Sequence, residues 1–186
     1  MTVRDVIDFW FGDDPHAWHP TRWFRGQDSM DAVMQTQFTG AVNLAKAGFL
    51  DTWANTPEGT LALVLLLDQF PRNIHRGTTR AFAGDPLARK HADTAINAFW
   101  DRELTPTQRV FLYLPFEHSE DLEDQDRSAR LFSPLAQYPH LSECVVEAYR
   151  HRSVIAQFGR FPHRNAILGR ESTQAELAYL ATATSG

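Results

Sequence analysis

The chain has 186 residues, 43% of them apolar and 22% charged, with a net charge of -5. These are ordinary globular values, and a chain of this length can bury roughly two-thirds of the surface that its unfolded form exposes. They exclude a general nucleic-acid binder, whose phosphate contacts need a net basic face.

Cys144 is the single cysteine, so an intrachain disulfide and a multi-cysteine metal centre are excluded, and a reducing cytoplasm is the expected location. The start, Met1-Thr-Val-Arg-Asp, has no signal-peptide pattern, and the apolar run Leu61 to Leu67 is far too short for a bilayer.

In chain order, Thr2 and Asp5 form a capping pattern ahead of Val6, Phe9 and Trp10, with Gly12 as the stop. Trp18, Trp23 and Phe24 are expected to fold back over this first helix. Asp28 opens a second helix, in which Met30, Val33, Met34, Phe38, Ala41, Val42 and Ala45 keep a 3.6-residue period up to Gly48. Thr56-Pro57 supplies an N-cap and a first-turn proline to a helix that is apolar all round from Leu61 to Leu67, the mark of a central helix. Asp68 follows on the inward side and needs a cationic partner, for which Arg72 and Arg76 are at hand. Pro71 biases Phe70 out of the helix.

Asp85-Pro86 opens a helix reaching Phe99 and Trp100, and Thr105-Pro106 opens another. Pro115 kinks or restarts the latter, and Glu117, His118, Ser119, Glu120 and Asp121 continue it at helical spacing, on through Ser128 to Phe132. From about Leu141 to Phe158 a further helix carries Cys144, Ala148, His151, Ile155 and Phe158 on one stripe. Gly159 and Pro162 break it, Gly169 closes a turn, and Ser172 or Thr173 caps a last helix through Leu180. No stretch alternates over a strand's length. The expectation is one all-α domain over residues 1–186, a bundle of about seven to nine helices.

Two segments share Phe-Pro-basic-Asn chemistry: Asp68-Gln-Phe-Pro-Arg-Asn-Ile-His-Arg76 and Phe158-Gly-Arg-Phe-Pro-His-Arg-Asn-Ala-Ile-Leu-Gly-Arg170. Their guanidinium forks suit a phosphate or a carboxylate, with Asp68, Gln69, Arg72, Asn73, Arg160, Arg164 and Asn165 as binding residues. The same arginines equally suit a buried network with Asp68, Glu117, Glu120 and Asp121. His118 and His163 are the candidate proton-transfer groups, with Glu120 or Asp68 orienting the imidazole. Cations beside His163 would keep it neutral near neutral pH. The carboxylate and imidazole spacing lacks any His-Glu-x-x-His or paired Glu-x-x-His motif, so no metal and no cofactor is expected. Cys144 reads as a small core residue.

Together with Phe9-Trp-Phe-Gly12, the two Phe-Pro segments and Pro115 to Leu122, the chain resembles a bacterial domain-of-unknown-function family, number 924. That resemblance implies an all-helical, tetratricopeptide-like arrangement and carries no activity with it. The expected function is binding, with or without transformation, of a small anionic molecule in a pocket between the two Phe-Pro segments and the His118–Asp121 stretch. The alternative is a helical protein-interaction module whose Arg/carboxylate network is structural.

Overall fold

The computed structural model describes residues 1–24 and 28–183, and in these the chain is all α-helical, joined by short 3-10 turns and loops. In order the helices are α1 (Val3–Phe11), α2 (Pro20–Phe24), α3 (Asp28–Lys46), α4 (Pro57–Val64), α5 (Phe70–Ile74), α6 (Asp85–Asn97), α7 (Pro106–Glu117), α8 (Leu122–Phe132), α9 (Ser142–Phe158) and α10 (Gln174–Ala183). Local signals set most of their starts. Thr2 with Asp5 and Thr105 with Gln108 close reciprocal capping boxes, and the Thr56 hydroxyl accepts the Gly59 N–H at 3.1 Å. Gly12, at φ 74°, ends α1.

α4 runs through the middle, with every residue from Leu61 to Leu67 sealed from solvent. Packed around it are α1, α6 and α7. The proline at position 71 does not end this helix, contrary to the sequence expectation: Phe70 stays helical (φ -59°, ψ -43°). Instead, Leu65–Gln69 widens into a π-turn in which the Phe70 N–H reaches back to the Leu65 carbonyl, and the path from α4 into α5 is continuous. A wider turn relieves the clash between a proline ring and the carbonyl four residues earlier, here that of Leu67. Pro71 has no N–H to offer that carbonyl, and Gly84 stands against it: a Cβ at position 84 would lie 2.2 Å from the Leu67 oxygen.

An aromatic plug fills the space between α1, α3, α5 and α7, with Trp10 edge-on to Phe111 at 5.4 Å and Phe38 edge-on to Phe70 at 4.9 Å. Trp18 and Trp23 join it, as expected, through a 5.1 Å contact.

Two further expectations are corrected. α6 stops at Asn97, and Phe99 lies outside it in a left-handed conformation (φ 60°), largely exposed. The helix from Thr105 continues through Pro115 but ends at Glu117, so His118 to Glu120 lie in a link rather than on a helix. Asp121 then caps α8 by accepting the Glu123 and Asp124 N–H groups. The buried Gln125 of α8 donates its side-chain amide to the carbonyls of Glu117 and Ser119, each at 2.7 Å. One side chain thus satisfies the open end of α7 and fixes the link.

Candidate functional site

The π-turn delivers Asp68, which is fully buried, to the link. Its Oδ1 lies 2.7 Å from His118 Nδ1 and 3.0 Å from Arg72 Nη1, and Gln69 donates to its Oδ2. Arg72 donates as well to the Asp68 carbonyl at 2.8 Å and makes a two-pronged bond to Asp85 at 2.8 and 3.0 Å. Burial opposes ionisation of Asp68, but Arg72 and His118 outweigh it and hold its carboxyl down at about 2. Burial, helped by Arg72, lowers the pKa of His118 against the pull of Asp68. The imidazole is therefore neutral at neutral pH. Since an ionised carboxylate only accepts, Nδ1 carries the proton and Nε2 keeps a lone pair, with no hydrogen-bond partner among the described residues.

The second Phe-Pro segment clamps the other side of the link. Glu120 accepts the Phe161 N–H at 2.8 Å and pairs with Arg170 at 2.6 and 2.9 Å. Arg170 also bonds Asn165, whose amide donates to Ser172. Arg160 forms a fork with Glu176 at 2.6 and 2.9 Å. Arg164, 7% exposed, lies between the rings of Phe82 and Phe161, at 4.8 and 4.5 Å from their centroids, and donates to the His118 carbonyl at 3.0 Å. Its buried Nε has no partner. Burial and the neighbouring Arg72 lower its pKa to about 10, so it keeps its charge at neutral pH.

A cavity of about 470 Å³ opens on the opposite side of His118, between α2, α7 and α9. Trp18, Phe24, Val110, Leu114 and Phe132 give it apolar walls, and Glu117, Glu143, Glu147, His151 and Cys144 give it polar ones. Glu117 is 5% exposed, and burial, together with Glu147 and Asp68, pushes its carboxyl up to about 8. Its Oε1 is 3.3 Å from His151 Nδ1, but that nitrogen donates its proton to the Glu147 carbonyl at 2.9 Å. Burial lowers the pKa of His151 too. Cys144, 9% exposed, has its thiol pushed up to about 12 by burial and the nearby Glu117.

Of the residues singled out in the sequence, Asp68, Gln69, Arg72, His118 and Arg164 come together around the dyad. Glu120, Arg160 and Asn165 serve the clamp, at one remove. Asn73 turns the other way and donates to Asp31 at 2.7 Å, which also pairs with Arg76. His163 is exposed, lies over Phe161 at 5.5 Å, and does not line the cavity. The first Phe-Pro segment is helical and the second is a loop, so their likeness in sequence is not one of structure. Sequence reasoning left out of the site Glu147 and the aromatic wall, and gave Glu117 a place only among the acids around His118 and the arginines. The inward stripe carrying Cys144 and His151 was the available signal for α9, while nothing local to Trp18 or Phe24 marks them as facing His118. Among the described residues, no helix is long and apolar enough to cross a membrane, and no three His, Cys, Asp or Glu side chains are grouped so as to hold a metal ion.

The model of a family described as bacterial protein of unknown function (DUF924) matches residues 6–184. The solved structure of a protein of unknown function from Agrobacterium tumefaciens is similar over 96% of each chain, with 42% identity and a TM-score of 0.88. No curated protein matches the chain. A match over nearly the whole sequence, on the fold described above, places this chain in the DUF924 family of bacterial proteins.

Proposed function

We propose that this protein binds a small molecule in the cavity between α2, α7 and α9 and moves a proton on it, with His118 as the base. One observation carries the reading: Asp68 holds the Nδ1–H tautomer of His118 at 2.7 Å while Nε2 has no partner among the described residues, on a residue that lines the cavity. A neutral imidazole oriented by a buried carboxylate is the arrangement that general-base chemistry uses. Arg72 keeps Asp68 ionised, and Gln69 fixes its second oxygen.

Glu120, Arg164, Asn165 and Arg170 act as positioning residues, since they hold the backbone of the link rather than facing the cavity. Arg160 ties the clamp to α10 through Glu176. Cys144 is excluded as a nucleophile in this scheme because its thiol stays protonated. The forks of Arg72, Arg76, Arg160 and Arg170 are occupied by Asp85, Asp31, Glu176 and Glu120, and Arg164 is buried between two rings and bound to the His118 carbonyl, so the cavity and not the arginine cluster is the ligand site in this reading.

A thermal-shift screen of a chemically diverse library tests it on the wild type, on Thr21→Trp, which plugs the mouth from the exposed face of α2, and on His118→Gln. A ligand at 100 times its dissociation constant adds about 2.7 kcal/mol of stability. Ligands are expected to stabilise the wild type and His118→Gln but not Thr21→Trp, and any turnover found for them should fall roughly 100-fold or more in His118→Gln. Absence of any hit, or hits that stabilise Thr21→Trp equally, would sink the proposal.

A further inference from the structure

The cavity is lined by a buried carboxyl group to which no described residue donates a hydrogen bond. Glu117 is more than nine-tenths buried and lines the cavity, yet its carboxyl makes no hydrogen bond among the described residues. Its one close polar neighbour, His151 Nδ1 at 3.3 Å, has given its proton to the Glu147 carbonyl. A ligand that donates to this carboxyl makes its hydrogen bond in surroundings where burial strengthens it.

The charges that face Glu117 agree on the sign of such a ligand. From α9 come Glu143 and Glu147, the latter already paired with Arg150 at 2.9 Å; from the π-turn comes Asp68, balanced by Arg72. From α8, Gln125 bonds the backbone carbonyl of Glu117 and leaves its side chain free. No lysine or arginine is among the described residues lining the cavity. The same cavity is lined by Trp18, 5.8 Å from Phe24 between ring centroids, and by Phe132 on α8. Aromatic faces attract cations as well as apolar groups. A volume of about 470 Å³ is that of a small-molecule site.

The geometry points to a cationic amine as the ligand of this cavity, its ammonium seated between Glu117 and Glu147 and its apolar body against Trp18, Phe24 and Phe132. This rests on the reading that the cavity binds a small molecule, and adds the charge that the molecule carries. An ammonium brings three donors, and once Glu117 has lost its proton both of its carboxylate oxygens accept. Because Glu117 is protonated in the free protein at neutral pH, pairing with an ammonium ionises it, and the proton leaves to solvent.

Isothermal titration of the full chain tests this with phenylalkylamines and cyclohexylalkylamines alongside the alcohols and carboxylates of matched shape, in buffers of different ionisation enthalpy. The amines are expected to bind about tenfold tighter than the alcohols, with the carboxylates weakest, and to release a proton on binding. Glu117→Gln should bring each amine down to the affinity of its alcohol and leave the alcohol unchanged. An alcohol or carboxylate that binds as well as its amine, or an amine preference that survives Glu117→Gln, overturns the charge assignment and leaves the cavity reading standing. If no compound of any charge binds the wild type, or all bind Thr21→Trp equally well, the cavity reading itself falls and the amine with it.

Discussion

His118 Nδ1 meets Asp68 Oδ1 at 2.7 Å across 50 positions of sequence, and each residue sits where its helix departs from regular geometry. Asp68 lies in the π-turn between α4 and α5, and His118 follows the last turn of α7. Removing the carboxylate leaves Arg72 facing the imidazole with only Asp85 to balance it. Asp68→Asn is therefore expected to destabilise the fold by about 3–5 kcal/mol, the range for breaking one partner out of a buried charge network. The sign with pH follows from the depressed pKa: the contribution of Asp68 is full above its unfolded value of 3.8 and fades as pH falls toward about 2. Urea denaturation of both proteins at neutral and at acid pH should show the gap closing only in acid.

Glu117 has the opposite sign. Its folded pKa of about 8 lies above the unfolded 4.5, so the stability it contributes is present below the unfolded value and lost as pH rises to 8. Glu117→Gln should match the wild type near pH 5 and exceed it near pH 8 by roughly 1–3 kcal/mol, the scale of an unsatisfied buried carboxylate. Midpoints that move in parallel for the two proteins would contradict the assignment.

The Cys144 thiol is buried at the cavity wall and raised to about 12. An aromatic disulfide reagent at neutral pH should label it only slowly in the native protein, at least about 100-fold below the rate in denaturant, because the thiolate is the reacting species. Prompt native labelling would mean that the wall opens far more often than the packing around Ala148 and Leu141 allows.

Gly84 and Gly40 make a matched pair. A methyl at position 84 would meet the Leu67 carbonyl at 2.2 Å, whereas position 40, within α3, has nothing within 4 Å. Gly84→Ala should cost about 2 kcal/mol or more through the backbone shift it forces, while Gly40→Ala should gain up to about 1 kcal/mol of helix propensity. Thermal midpoints of the two single variants give the comparison directly.

How much of this could be read from the residues alone depended on how far each signal reaches. Helix starts at Thr2, Thr56 and Thr105 were legible because a cap and the amides it satisfies lie within three positions. The inward aim of Asp68 was legible from its spacing after Leu61, Val64 and Leu65. Pro71 was misread because its effect depends on whether the preceding turn can widen, and that is settled by Gly84 packing from another element. The arginines stand out in the sequence as a set, but which acid each one meets is a matter of tertiary distance: Arg72 goes to Asp85, Arg170 to Glu120 and Arg160 to Glu176. The cavity wall was illegible for the same reason, since Trp18 and Phe24 reach α7 and α9 only once the chain has closed.

The wide turn at Leu65–Gln69 holds one residue more than an α-helical path over the same rise would contain. Each residue advances an α-helix by about 100°, so closing this turn to α geometry with all five residues kept would swing everything beyond it by more than a quarter-turn. Phe70 would leave the rings of Trp10 and Phe38, and Arg72 would leave Asp85. The wide turn in this sense takes up one extra residue locally and keeps the segments before and after it in phase with their partners.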